Sequence, residues 1–327
     1  MKLKTVYGPH PSRCFDWSLG VDVLLPPKRC PYNCVYCPLG RTSIKTMKPA
    51  MLIDPGTVKK ELEEFIQVNG CIFSNILVWG HGDPLLNYHT PLIVRTIRET
   101  INQYGCRSSI RIRTTGFALG EKWALPLLDI VDEIIIPFDA AGETRQVIND
   151  PMDNAKISLL IETLRNIPKT YRRKIAFETN LLKIDGIKNS DLPILDELTS
   201  YISSTGIMKI YLKTVNRPSW KQMIKPVKGR LFTRVKDYLV DKGYTVKECT
   251  REKHSTIIIS SDLEEALINH LLRKPLSTDE IRTIYGNRGI VLAEKMVLEN
   301  LIDKIPWGQK LFFKVKQTID LYKWIRR

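Results

Sequence analysis

Two hydrophobic rhythms alternate through the first two thirds of the chain. Short apolar, β-branched runs fall at 21–25, 72–79, 109–115, 131–140, 175–182 and 209–215. Runs of that length and make-up predict buried strands. Between them, apolar residues recur at three- and four-residue spacing, which predicts helices over 54–67, 90–104, 157–166 and 191–203. In the first of these, Val58, Leu62, Phe65 and Ile66 share a face, with Asp54 as N-cap and Pro55 at the first helical position. Strand and helix alternating six times from Val21 to Val215 imply an α/β fold with a parallel sheet. The opening, up to Asp22, reads as turns, and Pro26-Pro27 ends the first strand just before a cysteine-rich loop.

The pattern changes after residue 218. A basic helix over 231–242, Gly243 as its C-cap, and a strand pair around 244–246 and 256–259 read as a connector. Helices follow at 262–273, from 275 with a Ser277-x-x-Glu280 capping box, and at 290–303, then a small β-wing at 305–313. The expected division is 1–218, 219–260 and 261–327.

Composition narrows the class. Over 327 residues, 43% hydrophobic and 26% charged are ordinary for a packed protein. No apolar run reaches the roughly 18 residues of a membrane span, and the start lacks a signal-peptide core, so the expected location is cytoplasmic. The seven cysteines, three of them clustered, read as metal ligands rather than a disulfide framework. Net charge is +15, and residues 209–253 carry thirteen bases against four acids. That stretch is either a solvated basic surface or a footprint for nucleic acid or another polyanion.

Candidate chemistry concentrates in Cys30-Pro31-Tyr32-Asn33-Cys34-Val35-Tyr36-Cys37, a C-x3-C-x2-C spacing with no fourth cysteine near. Three thiolates on a four-iron, four-sulfur cluster leave one iron open to a cofactor. A zinc site would want a second cysteine pair or two histidines, and His10 and His81 have no ligand spacing to another Cys or His.

This spacing, with an aromatic residue before the third cysteine, resembles the radical S-adenosylmethionine (radical SAM) superfamily. The opening Tyr7-Gly8-Pro9-His10-Pro11-Ser12-Arg13 and the segment Ser18-Leu19-Gly20-Val21-Asp22 resemble, within it, iron–sulfur oxidoreductases related to tRNA wyosine-base synthesis. The resemblance implies an open, partial (β/α)6 barrel, a [4Fe-4S] cluster on Cys30, Cys34 and Cys37, and S-adenosylmethionine beside it. It also implies an electron donor such as flavodoxin or ferredoxin. It places Tyr36 against the adenine and gives His81-Gly82-Asp83 the role of a tight turn and carboxylate facing the methionyl ammonium. Thr115 stands where relatives carry Asn. Asp139 faces ribose hydroxyls or substrate, with an Asx turn as its alternative, and Asn180 meets the cofactor. Lys213, Arg217 and Cys14 are the candidate catalytic groups: a desolvated amine, a planar clamp for carboxylate or phosphate, and a redox thiol whose alternative is simple packing. The three helices and wing at the C-terminal end resemble a winged helix-turn-helix domain. The expected activity is reductive cleavage of S-adenosylmethionine and hydrogen abstraction from a substrate, an RNA (tRNA) base first and a protein or peptide side chain second. A non-catalytic iron–sulfur DNA-binding regulator is the third reading.

Overall fold

The computed structural model describes residues 2–221, 223–249 and 257–316. In chain order its main elements are β1 (Val6–Ser12), β2 (Asp16–Val21), α1 (Pro55–Asn69), β3 (Asn75–Val78), α2 (Thr90–Gln103), β4 (Ser109–Arg113) and β5 (Glu133–Pro137). Then come α3 (Gly142–Asn149), α4 (Ile157–Asn166), β6 (Ile175–Ile184), α5 (Leu192–Ser203), β7 (Lys209–Thr214), α6 (Arg230–Asp241) and β8 (Thr245–Glu248). The C-terminal unit holds α7 (Leu263–Leu271), β9 (Leu276–Ser277), α8 (Thr278–Leu298), β10 (Ile302–Trp307) and β11 (Lys310–Val315).

Strands β1 to β8 lie side by side in sequence order; β2 to β8 run parallel and β1 is antiparallel to β2. The result is an α/β sheet curled into a partial barrel. Period-two alternation explains how one sheet serves two environments. Ile76, Val78, Ile110, Ile112, Ile134, Ile136, Ile210 and Leu212 face outward and join the helices in the main core. The alternate positions face inward. There Leu77, Ile135, Ala176 and Tyr211 form an apolar layer with Phe15, whose ring meets Tyr211 edge-on at 4.9 Å.

Helix signals translate closely: Asp54 caps α1 by accepting from the Thr57 amide, and Ser277 and Glu280 form the expected capping box at α8. Other expectations need correction. The opening is not a run of turns: β1 and β2 form a buried hairpin, and the strand expected over 21–25 ends at Val21. Its Gly and Pro residues are tolerated because β1 is an edge strand. Thr245–Glu248 adds to β7 as a parallel strand and does not pair with the described residues 257–259; residue 256 of that expected pair lies outside the described residues. The helices expected from 275 and over 290–303 are one element, α8, kinked at Gly286 (φ 67°), and the chain is already extended from Ile302. β9, β11 and β10 make a small antiparallel sheet beside α7 and α8.

The cysteines require the largest correction. Four of the seven are paired, Cys14 with Cys249 and Cys71 with Cys106. Cys14 lies in the β1–β2 turn at one edge of the sheet and Cys249 directly after β8 at the other. Their bond therefore spans the open side of the barrel. Arg13 crosses the same gap to donate to the Thr214 carbonyl at 3.0 Å.

Candidate active site

The three remaining cysteines, Cys30, Cys34 and Cys37, are free thiols that line one cavity of about 60 Å³. The loop that carries them is fastened by backbone bonds, Asn33 N to the Asn149 carbonyl and Val35 N to the Ile148 carbonyl, both 2.9 Å. Asn149 Nδ2 also donates to Cys34 Sγ at 3.4 Å, and Trp220 Nε1 donates to the Cys34 carbonyl at 2.9 Å. Burial pushes the Cys34 thiol up to about 11 and Cys30 higher still. Thiols raised in this way, Cys30 and Cys34, are poor anions by themselves; bound iron would supply the positive charge that makes thiolates stable there. The donor set fits a site-open cluster.

Tyr36 lines the same cavity and donates from its hydroxyl to Asp139 Oδ2 at 2.6 Å. The same oxygen accepts from Asn149 Nδ2 at 2.7 Å, and Oδ1 accepts from the Asn180 amide at 2.8 Å. Sequence reading offers Asp139 to a ribose or substrate, whereas the structure gives both its oxygens to protein donors. Asp139 thus ties the cysteine loop, α3 and β6 together. Burial raises its carboxyl despite those three bonds.

Gly80-His81-Gly82-Asp83 follows β3. A Cβ on Gly82, at φ 128°, would stand 1.5 Å from the Arg29 carbonyl oxygen, so only glycine admits this crossing beneath the cysteine loop. His81 is buried with its ring on Asp22: Nδ1 lies 2.6 Å from Asp22 Oδ2, which also accepts from Arg273 Nε at 3.0 Å. Burial alone would raise the Asp22 carboxyl, but His81 and Arg273 outweigh it and hold it far below the usual range. Asp83 faces inward. Its Oδ1 accepts from Leu85 N at 3.0 Å and Thr114 Oγ1 at 2.6 Å, and its Oδ2 from the Thr115 amide at 3.1 Å and the Thr115 hydroxyl. Among the described residues no cation pairs with this buried carboxylate, and burial raises its pKa. A ligand ammonium fits that vacancy of charge.

Above the apolar layer the barrel lining turns polar. Glu178 Oε1 lies 2.5 Å from Arg113 and 2.7 Å from Lys213 Nζ. Burial first, then Arg113, lowers the Lys213 amine to about 8 against the pull of Glu178. Asn180 Oδ1 is buried with no hydrogen-bond partner in the protein. It lines an inner cavity of about 150 Å³ together with Tyr36, Trp79, Arg113 and Lys213. A buried polar atom without a partner is costly, and a bound ligand would satisfy it. Arg217 donates to the Pro275 carbonyl at 2.5 Å and pairs with Glu280 at 3.1 Å, joining β7 to the C-terminal unit.

The inner cavity shares Tyr36, Trp79 and Arg113 with the cysteine cavity, and Arg13, Thr214, Asn216 and Arg217 with an outer cleft of about 930 Å³. Most sequence-derived candidates thus converge on one path from the thiols outward. Cys14 lines it too, as half of a disulfide rather than a free thiol. Sequence reading missed Arg113, Asn149, Asn189 and Trp220. Arg113 was readable from the Ile-Arg-Ile-Arg alternation of β4. Asn189, which bonds to the Asp139 and Asn180 carbonyls, sits in a short return turn that carries no periodic signal.

The model of the radical SAM superfamily matches residues 24–198. The chain is 25% identical over 321 residues to a UPF0026 protein of Methanocaldococcus jannaschii, covering 94% of each. It is 25% identical over 295 residues to a UPF0026 protein of Helicobacter pylori, covering 89% of this chain and 91% of that one. Among solved structures it is similar to a radical SAM methyltransferase from Sphaerobacter thermophilus, with a TM-score of 0.52 and 18% identity. That match covers 71% of this chain and 66% of the other.

Proposed function

The chain belongs to the radical SAM superfamily, and from that premise we propose that it abstracts hydrogen from a base of an RNA substrate. It is a radical SAM enzyme; a reductant is required, and a purely regulatory DNA-binding role gives way to that chemistry. Bound cluster and cofactor would supply reductive C5′–S cleavage and a hydrogen-abstracting carbon radical, and the protein supplies orientation and exclusion of water.

We assign Cys30, Cys34 and Cys37 to the cluster and Asp83 and Asn180 to the cofactor's polar groups. Gly82 provides the close backbone approach, Thr115 orients Asp83, and Tyr36 and Asp139 hold the loop. One observation carries the substrate reading: the outer cleft that leads to the thiols presents Arg13, Arg217, Lys228 and Lys310 with Trp307 and Phe312, against a single carboxylate among the described residues, Glu280. Cations suit phosphates and aromatic faces suit unstacked bases. The wyosine-like opening and the basic stretch 209–253 support the same class. The division into barrel, basic segment and C-terminal unit, and a winged-helix likeness of the last, are part of this proposal; the C-terminal residues Trp307 and Lys310 form one wall of the cleft.

The test is anaerobic reconstitution, reduction and quantification of 5′-deoxyadenosine with and without bulk tRNA. Stimulation by tRNA, lost in Cys34→Ala, is the expected result. Cleavage indifferent to tRNA but raised by a protein or peptide fraction would overturn the RNA reading in favour of a polypeptide substrate.

A further inference from the structure

A hollow of about 170 Å³ lies where α1, β1 and the start of α7 meet, and it shares no lining residue with the cleft, the inner cavity or the cysteine cavity. In a chain of net charge +15 its lining is acidic: Glu61, Glu64, Asp262 and Glu265 stand against one cation among the described residues, Lys4. Of the four carboxylates only Glu64 has an ion pair among the described residues, with Lys4 at 3.1 Å. Asp262 caps α7 by accepting from the Glu265 amide at 2.9 Å, and Glu265 accepts from the Lys2 amide at 2.8 Å. The end of α1 adds to the negative potential, since its last turn lines the hollow through Val68 and Asn69 and carries no base. Glu61 is the one buried member, 5% exposed. Its Oε2 accepts from Thr5 Oγ1 at 2.7 Å and from the amides of Thr5 and Val6 at 2.5 and 3.2 Å. Its Oε1 is buried with no hydrogen-bond partner. A buried carboxylate oxygen without a donor is costly, and a bound N–H would satisfy it. Lys4 shows what this hollow does to an amine: burial lowers it, and Glu64, Glu61 and Glu265 outweigh that and raise it.

We propose that this hollow binds a linear aliphatic diamine, with one ammonium on Glu61 Oε1 and the other at the rim carboxylates Asp262 and Glu265. Charge selects a cation, because one lysine leaves the carboxylates in excess. Size and donor arrangement select an organic one. The hollow is far roomier than a bare ion needs, and among the described residues no group of three His, Cys, Asp or Glu could hold a metal. The rest of the wall includes Phe65, Val68, Ile258 and Ala266, apolar surface that suits methylene groups. Such a ligand would bridge α1, in the barrel, to α7, in the C-terminal unit. The site is independent of the cluster and substrate assignments, since it draws on none of their residues.

The test is calorimetric titration of the full chain with butane-1,4-diamine, beside butylamine and magnesium chloride. The diamine should bind once per chain, about tenfold more tightly than the monoamine, and should raise the melting temperature. Glu61→Gln keeps an acceptor for Thr5 and Val6 but sets an amide in place of the unpartnered oxygen, and should abolish binding. If that variant fails to fold, the rim decides. Asp262→Asn with Glu265→Gln retains the helix cap and should weaken the diamine about tenfold. Glu162→Gln, a loss of charge on the exposed face of α4, should leave binding unchanged. Absence of saturable diamine binding to the wild type would overturn the proposal, as would equal affinity in the rim variant. Magnesium binding that the rim variant loses, with no binding of the diamine, would overturn it in favour of a metal ion.

Discussion

The barrel contains the same ionic triad twice. Near the start of the strands, Glu133 lies 3.0 Å from Arg111 Nε and 2.5 Å from Lys209 Nζ, with Tyr211 donating at 2.7 Å. Near their ends, Glu178 holds Arg113 and Lys213 at 2.5 and 2.7 Å. Arg111 and Arg113 come from β4 and both lysines from β7, so the two triads are copies displaced along the strands. Yet the lysines shift in opposite directions. Lys209, 37% exposed, is raised: burial lowers it, and Glu133 and Tyr211 outweigh that. Lys213, 16% exposed, is lowered to about 8 because burial wins over Glu178. A carboxylate partners both; Tyr211 adds to its pull at Lys209, while deeper burial and Arg113 outweigh it at Lys213. The lower triad reads as structural closure of the barrel floor, and the upper one keeps an amine near neutrality beside the inner cavity.

Removing the central carboxylates separates the copies most strongly. Glu178→Gln leaves two buried cations without their anion and should cost about 3–5 kcal/mol in urea unfolding. Glu133→Gln should cost about 1 kcal/mol, discounted for the screening that Lys209 receives from solvent. Equal losses would dissolve the distinction.

A pH series sharpens it. The folded-state pKa of Lys213 lies below its unfolded value of 10.5, so the unfolded chain binds more protons between about 8 and 10.5. Stability from this group should therefore rise across that interval, and Lys213→Met should flatten the rise. Glu178 is depressed to about 2 from 4.5, so its contribution is complete above 4.5 and is lost as pH falls through about 2. The smallest effect is ionic: raising salt from about 0.05 to about 0.5 M should erode the Glu133 term by a few tenths of a kcal/mol and leave the Glu178 term in place. Denaturation of the two Gln variants at each salt concentration reads this directly.

Much of this was legible in the chain. Period-two alternation places both arginines of β4 on one face, and the polar interruption Glu178-Thr179-Asn180 marks β6 as lining a polar cavity. Cys30, Cys34, Cys37, Gly82 and Asp83 were readable because their spacing is local. What escaped depends on distant partners. Strand β8 pairs with β7 across α6, whereas local reading matched it to its sequence neighbour. Asp139 reads as a free strand-end carboxylate, since nothing near it reveals that Tyr36, Asn149 and Asn180 converge there. Cys14 and Cys249 are 235 positions apart, and only curling of the sheet brings them together.

That last pair has a mechanical consequence. The bond makes everything from Cys14 to Cys249 a covalent hoop, with the two ends of the chain attached at its clasp. Tension applied between the termini runs through the first thirteen residues, across the sulfurs, and out along the segment after 249. The seven parallel strands bear none of that load while the clasp holds. The C-terminal unit can be pulled away from the barrel, but the barrel itself cannot be unreeled.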